Sequence, residues 1–127
     1  MVRSSMPKLL IVDDSRLIRM RLRKMVGEEY EILEAANGKE ALLKAVSEKP
    51  DGIITDLLMP EMDGFSFMEQ LVNKNLDFPI IVLTADIQSE TRKRCADLGA
   101  QIVLNKPPKA EELSKALTEA LEKESSV

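Results

Sequence analysis

Short apolar runs alternate along this chain with stretches whose apolar residues recur every three or four positions. The runs are Leu9-Leu10-Ile11-Val12, Ile53-Ile54, Ile80-Ile81-Val82-Leu83 and Ile102-Val103-Leu104. They are short and rich in Ile, Leu and Val, which predicts strands buried on both faces. Strands are expected over residues 8–13, 31–35, 52–56, 79–84 and 101–105. The intervening stretches predict helices over 15–26, 63–73, 89–98 and 109–123. A further helix opens at Asn37-Gly38-Lys39-Glu40, an N-cap pattern with Glu at the third helical position, and runs to about Glu48. In the first helix Leu17, Ile18, Leu22, Met25 and Val26 fall on one side, and Arg16, Arg19, Arg23 and Lys24 mostly on the other.

Five strands alternating with five helices is the pattern of an α/β fold, a doubly wound parallel sheet covered on both faces. Residues 1–7 read as a flexible leader, 8–123 as one domain and 124–127 as a tail. Sites in such sheets lie outside the carboxyl ends of the strands. Every unusual residue falls there: Asp13-Asp14 after the first run, Asp56 after the third, Thr84 after the fourth and Lys106 after the fifth. Taken alone, Asp13-Asp14 is more often a helix N-cap, a duty that Ser15 could also fill, and Lys106 would be a surface lysine. Asp56 has no such role, because Asp63 is the better cap. A carboxylate at the end of a buried strand is costly unless a cation or chemistry uses it. Three carboxylates and one ammonium at one edge form a site for a hard divalent cation and a phosphoryl group.

Composition narrows the classes. With 127 residues the chain is long enough for one domain and too short for two. Histidine is absent, which removes His-based zinc sites and His general bases, and the single cysteine, Cys95, forbids an internal disulfide. The net charge of −4 points to neither nucleic acid nor an anionic membrane as partner. No apolar stretch is long enough to span a membrane and no signal peptide is evident, so a cytoplasmic setting is expected.

With these residues assembled, the chain resembles the receiver (CheY-like) domain of two-component response regulators over about residues 7–123. The motifs are Asp13-Asp14, Asp56 in Asp56-Leu57-Leu58-Met59-Pro60-Glu61-Met62-Asp63-Gly64, Thr84-Ala85 and Lys106-Pro107. The resemblance implies a flavodoxin-like sheet in the order 2-1-3-4-5. It implies that Asp56 accepts a phosphoryl group from a histidine kinase or phosphotransfer protein. By the same resemblance Asp13, Asp14, Asp56 and the backbone carbonyl of Leu58 hold Mg2+. Lys106, Thr84 and the opening beside small Ala85 receive the phosphoryl oxygens, and the Lys106–Pro107 bond is cis. Gly64 marks the sharp turn after Met62-Asp63.

The family's phosphodonor docks over the first helix, so Arg16, Arg19 and Arg23 are expected to steer an acidic partner. The expected protein is a stand-alone monomer of the chemotaxis type, with a motor or accessory protein as target. Phosphorylation could drive dimerisation through the last two helices. A phosphorelay intermediate and a phosphorylation-independent interaction domain are the alternatives. Two positions depart from the family pattern. Val103 stands three residues before Lys106, where an aromatic switch residue is common, and no other aromatic is expected near Thr84. Leu58, two residues after Asp56, and Asp86, two after Thr84, flank the expected water path; apolar Leu58 should neither orient nor admit an attacking water well.

Overall fold

A computed structural model describes residues 6–125. Five parallel strands, β1 (Lys8–Val12), β2 (Glu31–Ala35), β3 (Gly52–Thr55), β4 (Ile80–Thr84) and β5 (Ala100–Asn105), form one sheet in the order β2-β1-β3-β4-β5. The helices are α1 (Arg16–Val26), α2 (Gly38–Glu48), α3 (Gly64–Asn73), α4 (Ser89–Asp97) and α5 (Ala110–Ser125). This is the expected doubly wound fold in the expected strand order.

The alternation of side chains along each strand splits the core in two. Leu10, Val12, Ile53, Ile80 and Val82 pack with Ala41 and Ala45 of α2, Phe67, Met68 and Leu71 of α3, and Cys95 of α4. Leu9, Ile11, Ile54, Ile81 and Leu83 pack on the other face with Leu22 and Val26 of α1 and Leu113, Ala116, Leu117 and Ala120 of α5. Register keeps like with like: Leu10 lies beside Ile53, and Ile11 beside Ile54. A slip by one residue would exchange the two faces.

Several element ends differ from expectation by one residue, and about half coincide with it. Ser15, Asn37 and Asp63 stand just outside their helices as N-caps, accepting from the amides of Ile18, Glu40 and Ser66 at 3.2, 2.8 and 2.8 Å. Glu40 reaches back to the Ala36 amide. Asp13 and Asp56 lie one residue past their strands, although their amides still bond to Ala35 and Val12 carbonyls. Pro79 has no N–H to give, so β4 begins at Ile80. The helix α5 extends through Glu124 and Ser125, which were expected in the tail. The rest of that tail, and residues 1–5 of the leader, lie outside the described residues.

One expectation about side chains is corrected. Leu17 is 55% exposed and Met20 49% exposed. Each residue turns the helix by roughly 100°, and the buried arc of α1 is already filled by Ile18, Leu22, Met25 and Val26, which leaves Leu17 on the solvent side. Cys95 of α4 is fully buried.

Phe67 is fully buried at the centre of the core on the α3 side. Phe67→Ala is expected to lower the unfolding free energy by about 3–5 kcal/mol, read as a lower urea midpoint with unchanged helix content.

Candidate functional site

The carboxyl edge of the sheet gathers the acidic groups. Asp13 is 2% exposed and Asp56 9%, while Asp14 is exposed. One carboxylate oxygen from each of Asp13, Asp14 and Asp56 lies within 4.8 Å of the others. Lys106, which follows β5 and precedes a cis bond to Pro107 as expected, reaches between them. Its Nζ donates to Asp13 Oδ2 at 2.7 Å and to Asp56 Oδ2 at 2.8 Å. The second oxygen of each acid is also used. Asp13 Oδ1 accepts from the Ser15 amide at 2.9 Å, and Asp56 Oδ1 from the Leu57 amide at 2.7 Å. Burial opposes the charge on Lys106, but its hydrogen bonds to Asp13 and Asp56 outweigh burial and hold the ammonium above its usual pKa. The donor set suits a magnesium ion: three clustered carboxylates offer hard oxygens, with one acid exposed enough to leave room for waters.

Thr84 ends β4 on the far side of this cluster. Its Oγ1 accepts from the Asp86 amide at 3.1 Å. Ala85 follows, and a cavity of about 390 Å³ opens here beside Asp56 and Lys106. Leu58, Phe65, Asp86 and Thr91 line its outer wall. The Leu58 side chain is 81% exposed. Asp86 accepts from the Thr91 hydroxyl at 2.7 Å and the Gln88 amide at 3.1 Å, and these bonds hold its carboxyl below the usual range.

Phe65 corrects the expectation that no aromatic lies near Thr84. Its ring lines the same cavity, with the Arg94 guanidinium 3.9 Å from the ring centroid. The signal was present in the sequence, since Phe65 follows Gly64 at the start of a helix that begins in the Asp56 loop. Val103, by contrast, packs into the core among the α2, α3 and α4 residues. Gly64 is required by closeness rather than by a turn: a Cβ there would lie 2.3 Å from the Asp56 carbonyl oxygen.

The basic residues of α1 do not form one free face. Arg19 donates from Nε to Glu34 at 2.8 Å and from Nη1 to the Asp13 carbonyl at 2.6 Å, and its side chain is only 14% exposed. Arg23 donates to the other Glu34 oxygen at 2.7 Å. Arg23 and then Arg19 hold the Glu34 carboxyl below its usual range. Helical periodicity cannot foresee this, because the partner acid belongs to β2. Arg16 remains exposed, beside exposed Leu17 and Met20.

Comparison with known proteins places these features. The family model of the response regulator receiver domain matches residues 9–118, and the chain belongs to that family. It is 41% identical over 112 residues to the transcriptional regulatory protein PdtaR of Mycobacterium tuberculosis, a match covering 87% of this chain and 54% of that protein. It is 38% identical over 101 residues to the alkaline phosphatase synthesis transcriptional regulatory protein PhoP of Bacillus subtilis, covering 79% and 42%. The chain thus spans about half the length of the curated relatives it matches. Among solved structures, Vibrio cholerae chemotaxis protein CheY4 superposes with a TM-score of 0.85 at 37% identity, covering 92% of this chain and 100% of that one. A CheX-CheY-BeF3-Mg+2 complex from Borrelia burgdorferi gives 0.83 at 26% identity, covering 88% and 87%.

The lowered pKa of Glu34 fixes the sign of one pH effect. An acid depressed in the folded state contributes stability above its unfolded pKa, near 4.5, and loses that contribution as pH falls through the folded value. Glu34→Gln is therefore expected to be less stable than wild type at neutral pH. The difference should shrink as pH falls below about 4.5, as read by urea unfolding across the acid range.

Proposed function

We propose that this receiver accepts a phosphoryl group on Asp56 and signals by binding protein in its phosphorylated form. The observation that carries the reading is the convergence of Asp13, Asp56 and Lys106, with Lys106 Nζ within 2.8 Å of both acids. An Asp56 carboxylate oxygen attacks phosphorus, the bond from phosphorus to the donor's histidine nitrogen breaks, and the imidazole leaves. Negative charge spreads over the three transferred oxygens. Lys106 turns from the carboxylates to one of these oxygens, and the Thr84 hydroxyl donates to another while still accepting from the Asp86 amide. Asp13, Asp14, Asp56 and the Leu58 carbonyl would hold Mg2+, which when bound neutralises charge on the acceptor and the phosphoryl group. Catalysis is then positioning and charge neutralisation, and the chain acts as a self-modifying phospho-acceptor rather than as a turnover enzyme.

The donor in this reading is a cytoplasmic histidine kinase or phosphotransfer protein. Exposed Leu17, Met20 and Arg16 give it an apolar centre with a basic rim beside the acceptor edge; Arg19 and Arg23 are drawn off by Glu34. A chemotaxis output is favoured by the likeness to CheY4. A transcriptional output is favoured by the names of the 38–41% identical relatives. Acceptor chemistry at Asp56 is common to both readings. Among the described residues no helix is long and apolar enough to cross a membrane.

Incubation with acetyl phosphate is expected to add one phosphoryl mass to the intact protein only when Mg2+ is present, and not to Asp56→Asn. No mass gain under any condition would overturn the proposal in favour of a phosphorylation-independent interaction domain. Leu58→Asn, which places an amide able to orient water beside the acyl phosphate, is expected to shorten its lifetime several-fold. An unchanged decay rate would remove Leu58 from the control of hydrolysis.

A further inference from the structure

The segment from Asp56 to Asp63 carries the acceptor and, on the reading above, a metal-binding carbonyl. It is held by contacts from two directions. At its far end Gly64 lies against the Asp56 carbonyl, and the Gly64 amide donates to the Leu57 carbonyl at 2.8 Å. The second anchor comes from the neighbouring helix. The Gly38 amide, at the first position of α2, donates to the Met62 carbonyl at 2.9 Å. A Cβ at Gly38 would stand 2.5 Å from that oxygen, 2.8 Å from Met62 Cγ and 3.0 Å from Met62 Cβ. Gly38 is buried and does not have a positive φ, so it is required here for space and not for backbone freedom.

Neither side of this contact yields easily. The start of α2 is fixed by the Asn37 cap and by Glu40 bound to the Ala36 amide. On the loop side, Glu61 is held in the left-handed region at φ 65°, and the Met62 amide closes a tight turn onto the Pro60 carbonyl at 2.7 Å. A non-glycine residue stays in such a conformation only where its surroundings over-determine it. The Gly38–Met62 contact is the surrounding that fixes the residue next to Glu61.

We infer that Gly38 is a positioning residue for the phospho-acceptor loop, setting where the Leu58 carbonyl stands relative to Asp13, Asp14 and Asp56. The inference rests on the acceptor reading of Asp56 given above. A methyl group at position 38 must push Met62 outward by at least about half an ångström to reach even the tightest real contacts. Magnesium demands near-ideal octahedral geometry, so a displacement of that size along the loop is felt as lost affinity. Gly38 touches neither metal nor phosphoryl group and acts through Met62.

The test uses the full chain and Gly38→Ala, with melting temperature measured against Mg2+ concentration in the absence of any phosphodonor. The Mg2+ concentration giving half the stabilisation is expected to rise about tenfold. The acetyl phosphate reaction is expected to show the same shift in its Mg2+ dependence, with most of the rate recovered at saturating Mg2+. A lower melting temperature with an unchanged Mg2+ midpoint would overturn the inference, because a purely structural role moves only the first. If Gly38→Ala does not fold, Asn37→Ala takes its place. It loosens the same helix start without adding bulk and is expected to shift the midpoint in the same direction by less; no shift would overturn the inference equally. A wild type stabilised by Mg2+ yet never phosphorylated would defeat the acceptor reading while leaving the positioning role measurable. A wild type indifferent to Mg2+ would defeat the positioning role itself.

Discussion

One ammonium between two buried carboxylates is the interaction on which the carboxyl edge of this sheet depends. Asp13 and Asp56 come from adjacent strands and would repel at close range in a poorly solvated setting; Lys106 supplies the opposing charge and donates to both. Strand order makes this demanding. The strand before Lys106 is separated from that of Asp56 by β4, so the lysine must cross the end of an intervening strand. At about 4.8 Å per strand step, only a long side chain covers that gap. It also explains why β4 ends in small residues: Thr84 and Ala85 leave the path clear, and the Thr84 carbonyl accepts from the Lys106 amide at 2.9 Å to fix its starting point.

The α4 side of the molecule is held differently. Only Cys95 of α4 is buried, whereas α3 and α5 each bury several apolar residues. The helix α4 has no side-chain cap on its first residue and is tied down instead by polar contacts. Thr84 holds Asp86, Asp86 holds Gln88 and Thr91, and Arg94 lies over Phe65. An element fastened by exposed polar bonds opens at lower free energy than one fastened by core packing. The part of the chain joined most directly to Thr84 is thus also the part with the least apolar anchoring.

Much of this was legible in the sequence because the rules involved are local. Apolar runs gave four of the five strands, periodicity gave four helices and the Asn37-Gly38-Lys39-Glu40 pattern the fifth, and Ser15, Asn37 and Asp63 announced three helix starts. The gathering of Asp13, Asp56 and Lys106 was legible for a topological reason, since parallel strands put all their carboxyl ends on one edge. What escaped depends on contacts between elements far apart in sequence. Arg19 reads as a solvated cation until β2 brings Glu34 beside it. Gly38 reads as an ordinary helix-start glycine until Met62 is placed 2.9 Å from its amide. Phe65 is not singled out, because helical periodicity does not say that the first turn of α3 reaches the cavity beside Asp56 and Thr84.

The placement of aromatic rings has an optical consequence. The chain has no tryptophan, and its one tyrosine, Tyr30, precedes β2 at the amino end of the sheet, opposite the acidic cluster. The carboxyl edge is therefore dark to ultraviolet fluorescence, and events there leave intrinsic emission almost unchanged. The same arrangement supplies a blank background: an indole placed at exposed Leu58, on the rim of the cavity, would be the sole strong emitter and would report only on its own surroundings.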